Sequence, residues 1–330
     1  MTALAVGTRR SSGLGDNVWV RFAVRRTGRL LLSLWVLVTA AFLMIHALPG
    51  DPVRAALGPT APLELVQQRR TAMGLHDPLW LQYAHYLGNL LSGDMGSSMT
   101  TGLPVSEIIG ARMGATVELA VLAFAVAVIV SVPLGTLMAV LAGDGRRRAG
   151  DWMFTSTSVV LATIPEFLVA VGLVFVFGVQ LGWAPVAGRS GPGSYVLPVL
   201  ALALGPAFVL ARLVRVEMLA VLQTDYIRTA RAKRLPPRVV YLRHALPNAV
   251  TAGLTMGGLM LGALVAGTVL VENVFAWPGL GGTIVSSILA KDYPTVQGVV
   301  LVYGVGVLLV NLAVDVALAL LDPRSAIRES

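Results

Sequence analysis

The chain has 330 residues, 56% of them hydrophobic and 13% charged, with a formal net charge of +8 and no cysteine. A soluble domain carries about 25% charged residues, so a water-exposed globular domain is excluded, and the missing thiols exclude disulfides and thiolate metal sites. A spanning helix needs roughly 20 mostly apolar residues, and six runs of that kind make this an all-α polytopic membrane protein.

Taken in chain order, residues 1–29 are polar and arginine-rich and read as a cytoplasmic N-terminal segment. The first span covers 30–49; no A-x-A cleavage site follows it, so it is expected to stay in the protein and not to be cut off as a signal peptide. Residues 50–115 form the longest segment outside the membrane. Leu79, Tyr83, Tyr86, Leu87, Leu90 and Leu91 recur there at helical spacing, and Asp77 before Pro78 suits an N-cap with proline at the first helical position. Short amphipathic helices lying on the outer membrane face are expected. The core, 116–321, holds five further spans at 119–142, near 156–179, and at 190–211, 245–271 and 293–314. A cytoplasmic tail, 322–330, ends the chain. Both outer elements, this segment and the FAWPGLGGTIVSSILAKDYP stretch before the last span, either dock an external partner or simply pack over the mouth of the bundle.

Cytoplasmic loops retain positive charge. With both termini inside, 19 of the 25 Lys and Arg residues lie in inner segments and six outside, and the opposite topology inverts that ratio. The net charge is thus a topology signal, and no nucleic-acid partner is implied.

The fifth span carries Gly253, Gly257, Gly258 and Gly262 at small-xxx-small spacing, which lets helix backbones approach closely and marks a tightly packed interior helix. Charges within the spans are few. Glu166, just after Pro165, is the one that can sit deep; it either faces a water-filled cavity or caps backbone freed by the proline. Asp315 lies near the inner end of the last span, and Glu118, Glu217 and Glu272 at span edges are expected to reach the interface.

No G-x-x-x-x-G-K-[ST] phosphate loop, H-E-x-x-H, G-x-S-x-G or G-x-G-x-x-G occurs, and the four histidines are scattered. The chain is not expected to be an enzyme or to hold a metal or cofactor. It looks built to move something with neither a nucleotide site nor an ion relay, so its energy must come from a partner.

The densest charge cluster falls at 224–245, between two spans. Thr224 or Asp225 can cap a helix over 226–235, Pro236-Pro237 ends it, and a second short helix over 238–245 leads into the fifth span. Arginines alone serve topology. An ordered cap, break and re-entry make a compact knob that fits a cleft on a soluble partner.

With DYIRTARAK (225–233) and RHALPN (243–248), the stretches ALPGDP (47–52), GLHDPLWLQY and LGNLLSGDMGSSM (74–99), FAWPGLG (275–281), DYPTVQGVVL (292–301) and NLAVDVALALLDPR (311–324) stand in an order that resembles the permease subunits of bacterial ABC importers for dipeptides, oligopeptides and nickel. The likeness runs from about Arg21 to Arg324. It implies a type I importer bundle in the plasma (inner) membrane, in contact with lipid. It also implies a second homologous permease, two ATPase subunits that bind ATP and Mg, an external solute-binding protein and a peptide substrate. The family's ATPase-coupling element falls on Asp225, Tyr226, Arg228, Thr229, Ala230, Arg231, Ala232, Lys233, Arg234 and Leu235. Arg228 stands where the general motif has an acid, and Arg234 where it has a glycine that permits positive φ. Either the proline pair reshapes that turn or Arg234 pairs with the ATPase. Gly253, Gly257, Gly258, Gly262 and Glu166 are assigned to helix packing and the pathway. Dipeptides or oligopeptides are the default cargo; nickel chelates, glutathione-like peptides and haem stay open. The rival reading is a stand-alone secondary carrier or channel for a small solute.

Overall fold

The structure, a computed structural model, describes residues 18–47, 52–58, 60–72, 74, 76–143 and 148–321. The first half of the N-terminal segment, the 322–330 tail and the inner-loop arginines Arg146 and Arg147 lie outside them. The helices are α1 (Val18–Ala47), α2 (Pro52–Leu57), α3 (Leu63–Ala72), α4 (Leu79–Leu91), α5 (Val105–Gly143), α6 (Arg148–Thr163) and α7 (Glu166–Leu173). They continue with α8 (Val196–Leu222), α9 (Asp225–Ala232), α10 (Pro237–Val239), α11 (Leu246–Val274), α12 (Leu280–Leu289) and α13 (Tyr293–Leu321). No strand occurs among the described residues beyond an isolated bridge between Ser97 and Pro104. Among the described residues five helices are long and apolar enough to cross a membrane, six if α6 and α7 form one broken span.

Three boundaries differ from the sequence reading. The helix expected near 156–179 turns by 96° between α6 and α7. Pro165 lacks the N–H that would bond the Leu161 carbonyl, and it pushes Ile164 out of the α region. Beyond the break α7 runs on as a π turn over Val174–Gln180. The first helix begins at Val18 and carries part of the arginine-rich segment as a helical extension. The second spanning helix begins at Val105, well before 116, and runs for 39 residues. At 1.5 Å per residue it is roughly 58 Å long, about twice the hydrocarbon thickness. Hydropathy marks only its lipid-level part, because Glu107, Arg112 and Glu118 keep the outer turns wet.

Lipid tails are as apolar as leucine, so helices associate in the bilayer by close packing between small residues. The central pair here, α5 and α8, shows this directly. A Cβ at Gly135 would collide with the Ala211 carbonyl and Val214. Further along the same pair, Leu119, Ala123 and Ala127 of α5 meet Leu197, Ala201 and Leu202 of α8, with Leu264 and Val271 of α11, in one core. Near the inner ends, ion pairs tie Arg215 of α8 to Asp151 of α6, and Arg26 of α1 to Asp315 of α13.

On the opposite face α4 lies on the end of α1. Tyr83 Oη and Thr39 Oγ1 are 2.7 Å apart, and the rings of Phe42 and Tyr86 stand 5.6 Å apart. Trp80 is 71% exposed, the placement of an aromatic anchor at a membrane interface. Asp77 does not cap α4. The N-cap is Pro78 in extended backbone, and the Asp77 carbonyl accepts from Gln82 Nε2 at 2.7 Å.

Two buried carboxylates hold the outer end together. Asp292, 2% exposed, accepts from Ser98 Oγ (2.5 Å), the Met99 N–H (2.9 Å), Thr100 Oγ1 (3.1 Å) and Thr295 Oγ1 (2.9 Å). Burial pushes its pKa up, but these donors outweigh it and hold the carboxyl below its ordinary value. It thereby ties the GDMGSSM loop to the head of α13. Glu272 does not reach the interface as its position suggests: it is 0% exposed and accepts from the Gly281 N–H at 2.6 Å, at the start of α12. The FAWPGLG turn brings α12's free amides back onto it, and a helix N-terminus is where a carboxylate is best tolerated. Trp277 locks that turn by donating Nε1–H to the Ala115 carbonyl at 3.1 Å. Glu118, in contrast, stays at the rim, bonded to Arg189 (2.6 Å) and Tyr195 Oη (3.1 Å).

Candidate functional site

The elbow at 224–245 is built on α9. Ile227 is fully buried and Ala230 nearly so, in a cluster with Ala139, Met218, Leu222, Val240, Ala245 and Ala249. That cluster joins α9 to the inner ends of α5, α8 and α11. Asp225, Tyr226, Arg228, Thr229, Arg231, Ala232 and Lys233 are exposed on the remaining faces. Of the ten residues assigned to coupling, Ala230 and the half-buried Leu235 therefore face the bundle, and the others face away from it.

The caps differ from expectation at one end. Thr224 stands at the N-cap, but its hydroxyl donates back to the Val221 carbonyl at 2.6 Å and closes the end of α8 instead. Asp225 follows as the first helical residue and pairs with Arg228 at 3.1 Å. At the other end the Arg234 N–H bonds the Arg231 carbonyl (2.9 Å) and the Leu235 N–H bonds the Ala230 carbonyl (3.4 Å). This is the Schellman pattern, and it needs a left-handed residue between the two donors. Arg234 supplies it, with φ +57°. The proline pair does not reshape the turn; arginine adopts the conformation that glycine would take.

The second helix of the elbow is not a separate piece. α10 passes into a π turn over Val240–Ala245, which runs directly into α11. Pro247 lacks the N–H that would close an α turn on the Arg243 carbonyl, which suits the wider turn just before it. The elbow is thus continuous with the glycine-bearing helix.

The four glycines of α11 at small-xxx-small spacing lie against different neighbours. A Cβ at Gly253 would sit 3.6 Å from Val214, and one at Gly257 3.8 Å from Leu210 and Phe124, on the α8 and α5 side. A Cβ at Gly258 would overlap Val314, and one at Gly262 would lie 3.1 Å from Asn311, both on α13. One helix is gripped from two directions.

Glu166 opens α7 at the membrane break. Pro165 is the N-cap, with no side-chain cap hydrogen bond. The Glu166 carboxylate lies against Gly267 of α11, where any side chain would collide with it. Among the described residues it has neither an ion pair nor a hydrogen bond. An intramembrane charge costs ~2.5–3.5 kcal/mol on insertion scales; a helix N-terminus returns about 0.3–1 kcal/mol. The two do not balance.

Sequence reasoning missed Gly267 and the roles of Asp292 and Glu272. Gly267 lies outside the small-xxx-small pairs, Asp292 sits in a motif noted only for its order, and Glu272 at a span edge showed no partner in view. Among the described residues no group of three His, Asp or Glu side chains could hold a metal ion.

Residues 131–327 match the family described as binding-protein-dependent transport system inner membrane component, and residues 19–120 match its N-terminal companion family. The glutathione transport system permease protein GsiC of Escherichia coli (strain K12) is 37% identical over 304 residues, covering 92% of this chain and 98% of that protein. GsiC of Shigella flexneri serotype 5b gives the same identity and coverage. A crystal structure of an amino acid ABC transporter with histidines aligns at TM-score 0.48 and 16% identity, over 66% of this chain and 94% of that one. The chain belongs to the binding-protein-dependent transport system inner membrane components: it is a multi-pass permease subunit of an ABC importer, works with ATPase and binding-protein partners, and is not itself an enzyme.

Proposed function

We propose that this permease forms half of the translocation pathway for dipeptides or oligopeptides. It pairs with a second homologous permease, and two ATPase subunits that bind ATP and Mg dock against α9. ATP binding closes the ATPases and draws the two elbows together, and the bundle opens outward to a peptide delivered by the solute-binding protein. Hydrolysis reverses the motion. The glycine faces of α11 are the surfaces that slide. The observation that carries this reading is the construction of α9: one face is pinned into the bundle by Ile227 and Ala230, the other is exposed and polar, and the elbow runs without interruption into α11. A push on α9 is therefore a push on a central helix. A relative named for glutathione transport, itself a short peptide, supports the peptide cargo.

Crosslinking tests the docking. In assembled complex, Thr229→Cys and Ala232→Cys bond to cysteines placed in the ATPase cleft, while Ala230→Cys, facing the bundle, does not. Absence of any bond from both exposed positions refutes docking at α9. The cargo is read from binding-protein-dependent peptide uptake and stimulation of ATP hydrolysis.

A further inference from the structure

We propose that the groove between α1, α11, α12 and α13 holds one acyl chain of an anionic phospholipid of the inner leaflet, with the headgroup phosphate on Arg25 and Arg29. The groove has a volume of about 430 Å³ and is bordered by Ser33 and Leu37 of α1, Ala266 of α11, and Val300, Tyr303 and Leu308 of α13. Ser33 and Tyr303 apart, its lining is aliphatic or glycine, and the Tyr303 hydroxyl is engaged with Thr268 Oγ1 at 3.3 Å. Water finds too few partners in such a space, and an empty groove forfeits the contacts of its lining. Hydrocarbon fills it. The groove follows α13 from Val300 to Leu308, roughly 12 Å at 1.5 Å per residue. Its volume spread over that length leaves a section of roughly 35 Å², under half the ~80 Å² of a helix about 10 Å across. A helix of a second permease is too thick to enter, whereas a single acyl chain is slim enough.

The inner mouth of the groove carries the charge that selects the headgroup. Ser33 and Leu308 each stand seven residues from the Arg26–Asp315 ion pair, so the groove begins roughly 10 Å from it, toward the membrane centre. Arg25, Arg29, Ser33 and Leu37 recur every four residues, so the two arginines continue the α1 ridge that borders the groove. Both are exposed, and the neighbouring Leu32 and Val36 are exposed as well, as on a face turned to lipid. α1 contains no acidic residue and α13 only Asp315, which Arg26 pairs with. The mouth is therefore net positive. A guanidinium meets a phosphate through two parallel hydrogen bonds. A zwitterionic headgroup brings its own cation to that site and an anionic one does not, so the anionic lipid is preferred. Seated there, it fills the seam between α1 and the glycine-bearing α11.

The chain's lack of cysteine makes the test direct. The importer, assembled with cysteine-free partner subunits, is reconstituted in phosphatidylcholine vesicles with a bimane fluorophore on Ser33→Cys, and lipids with brominated chains are titrated in. Half-maximal quenching needs about tenfold less brominated phosphatidylglycerol than brominated phosphatidylcholine. Arg25→Gln together with Arg29→Gln cuts that preference to less than about threefold, and the corresponding pair of lysine variants keeps most of it. Ala266→Phe fills the groove without altering charge and raises the phosphatidylglycerol needed about fivefold. The same fluorophore on Leu43→Cys, on the exposed outer half of α1, shows less than about twofold preference. The assignment is overturned by equal quenching from the two lipids at Ser33→Cys, by an equal preference at Leu43→Cys, or by a preference that survives the glutamine pair or Ala266→Phe. It is overturned too by a fluorophore that neither lipid quenches, which shows that protein covers the groove.

Discussion

Arg234 and Asp292 show how single residues fix the two ends of the molecule. Arg234 holds a left-handed backbone at φ +57°, a conformation that costs an L-residue roughly 1–2 kcal/mol, of which glycine's greater freedom in the unfolded chain takes back about 0.5–1 kcal/mol. Arg234→Gly is therefore expected to stabilise the protein by roughly 0.5–1 kcal/mol, seen as a higher unfolding temperature of the purified complex. If ATP hydrolysis becomes uncoupled from uptake at the same time, the side chain itself touches the ATPase. Asp292 behaves oppositely. Its folded pKa lies below the ordinary 3.8, so its contribution is present at every pH above that value and is lost only as acid takes the pH through the lower folded value. Asp292→Asn removes about 1–3 kcal/mol at neutral pH and leaves unfolding less sensitive to strong acid. Denaturation followed from pH 7 down to pH 2 checks both.

At the scale of an element, α11 makes the sharpest prediction, because its glycines are not equivalent. Gly258→Ala overlaps Val314 and costs about 1–3 kcal/mol through overpacking. Gly253→Ala meets Val214 at an ordinary 3.6 Å, and alanine's better helix propensity, up to about 1 kcal/mol, leaves it neutral or slightly stabilising. Thermal unfolding of the two variants side by side distinguishes them. Spacing alone puts both glycines in one motif; the neighbours separate them.

For the whole molecule, the consequence is dependence on others. The chain has no phosphate-binding loop, and no cluster of three acidic or histidine groups lies among the described residues. The permease alone in liposomes is expected to give no uptake driven by a proton or sodium gradient. The full complex gives uptake that stops when ATP is withheld. Gradient-driven transport by the chain alone would revive the carrier alternative.

The number and rough position of the spans, the arginine asymmetry, the elbow with its proline break and the family likeness were all legible in the residue order. Each is a property of composition, period or local backbone chemistry. What required the tertiary structure is where long-range partners decide. The Pro165 break turned 96° because neighbouring helices hold both halves. Glu272 went inside because α12 folds back to offer amides, and Thr224 capped the helix behind it instead of the one ahead. The exposed and buried sides of α9 were set by α5, α8 and α11 together. Local energies choose helix or turn over a few residues, but a buried carboxylate or a close glycine contact depends on atoms far away in sequence, and only the folded chain brings them within reach.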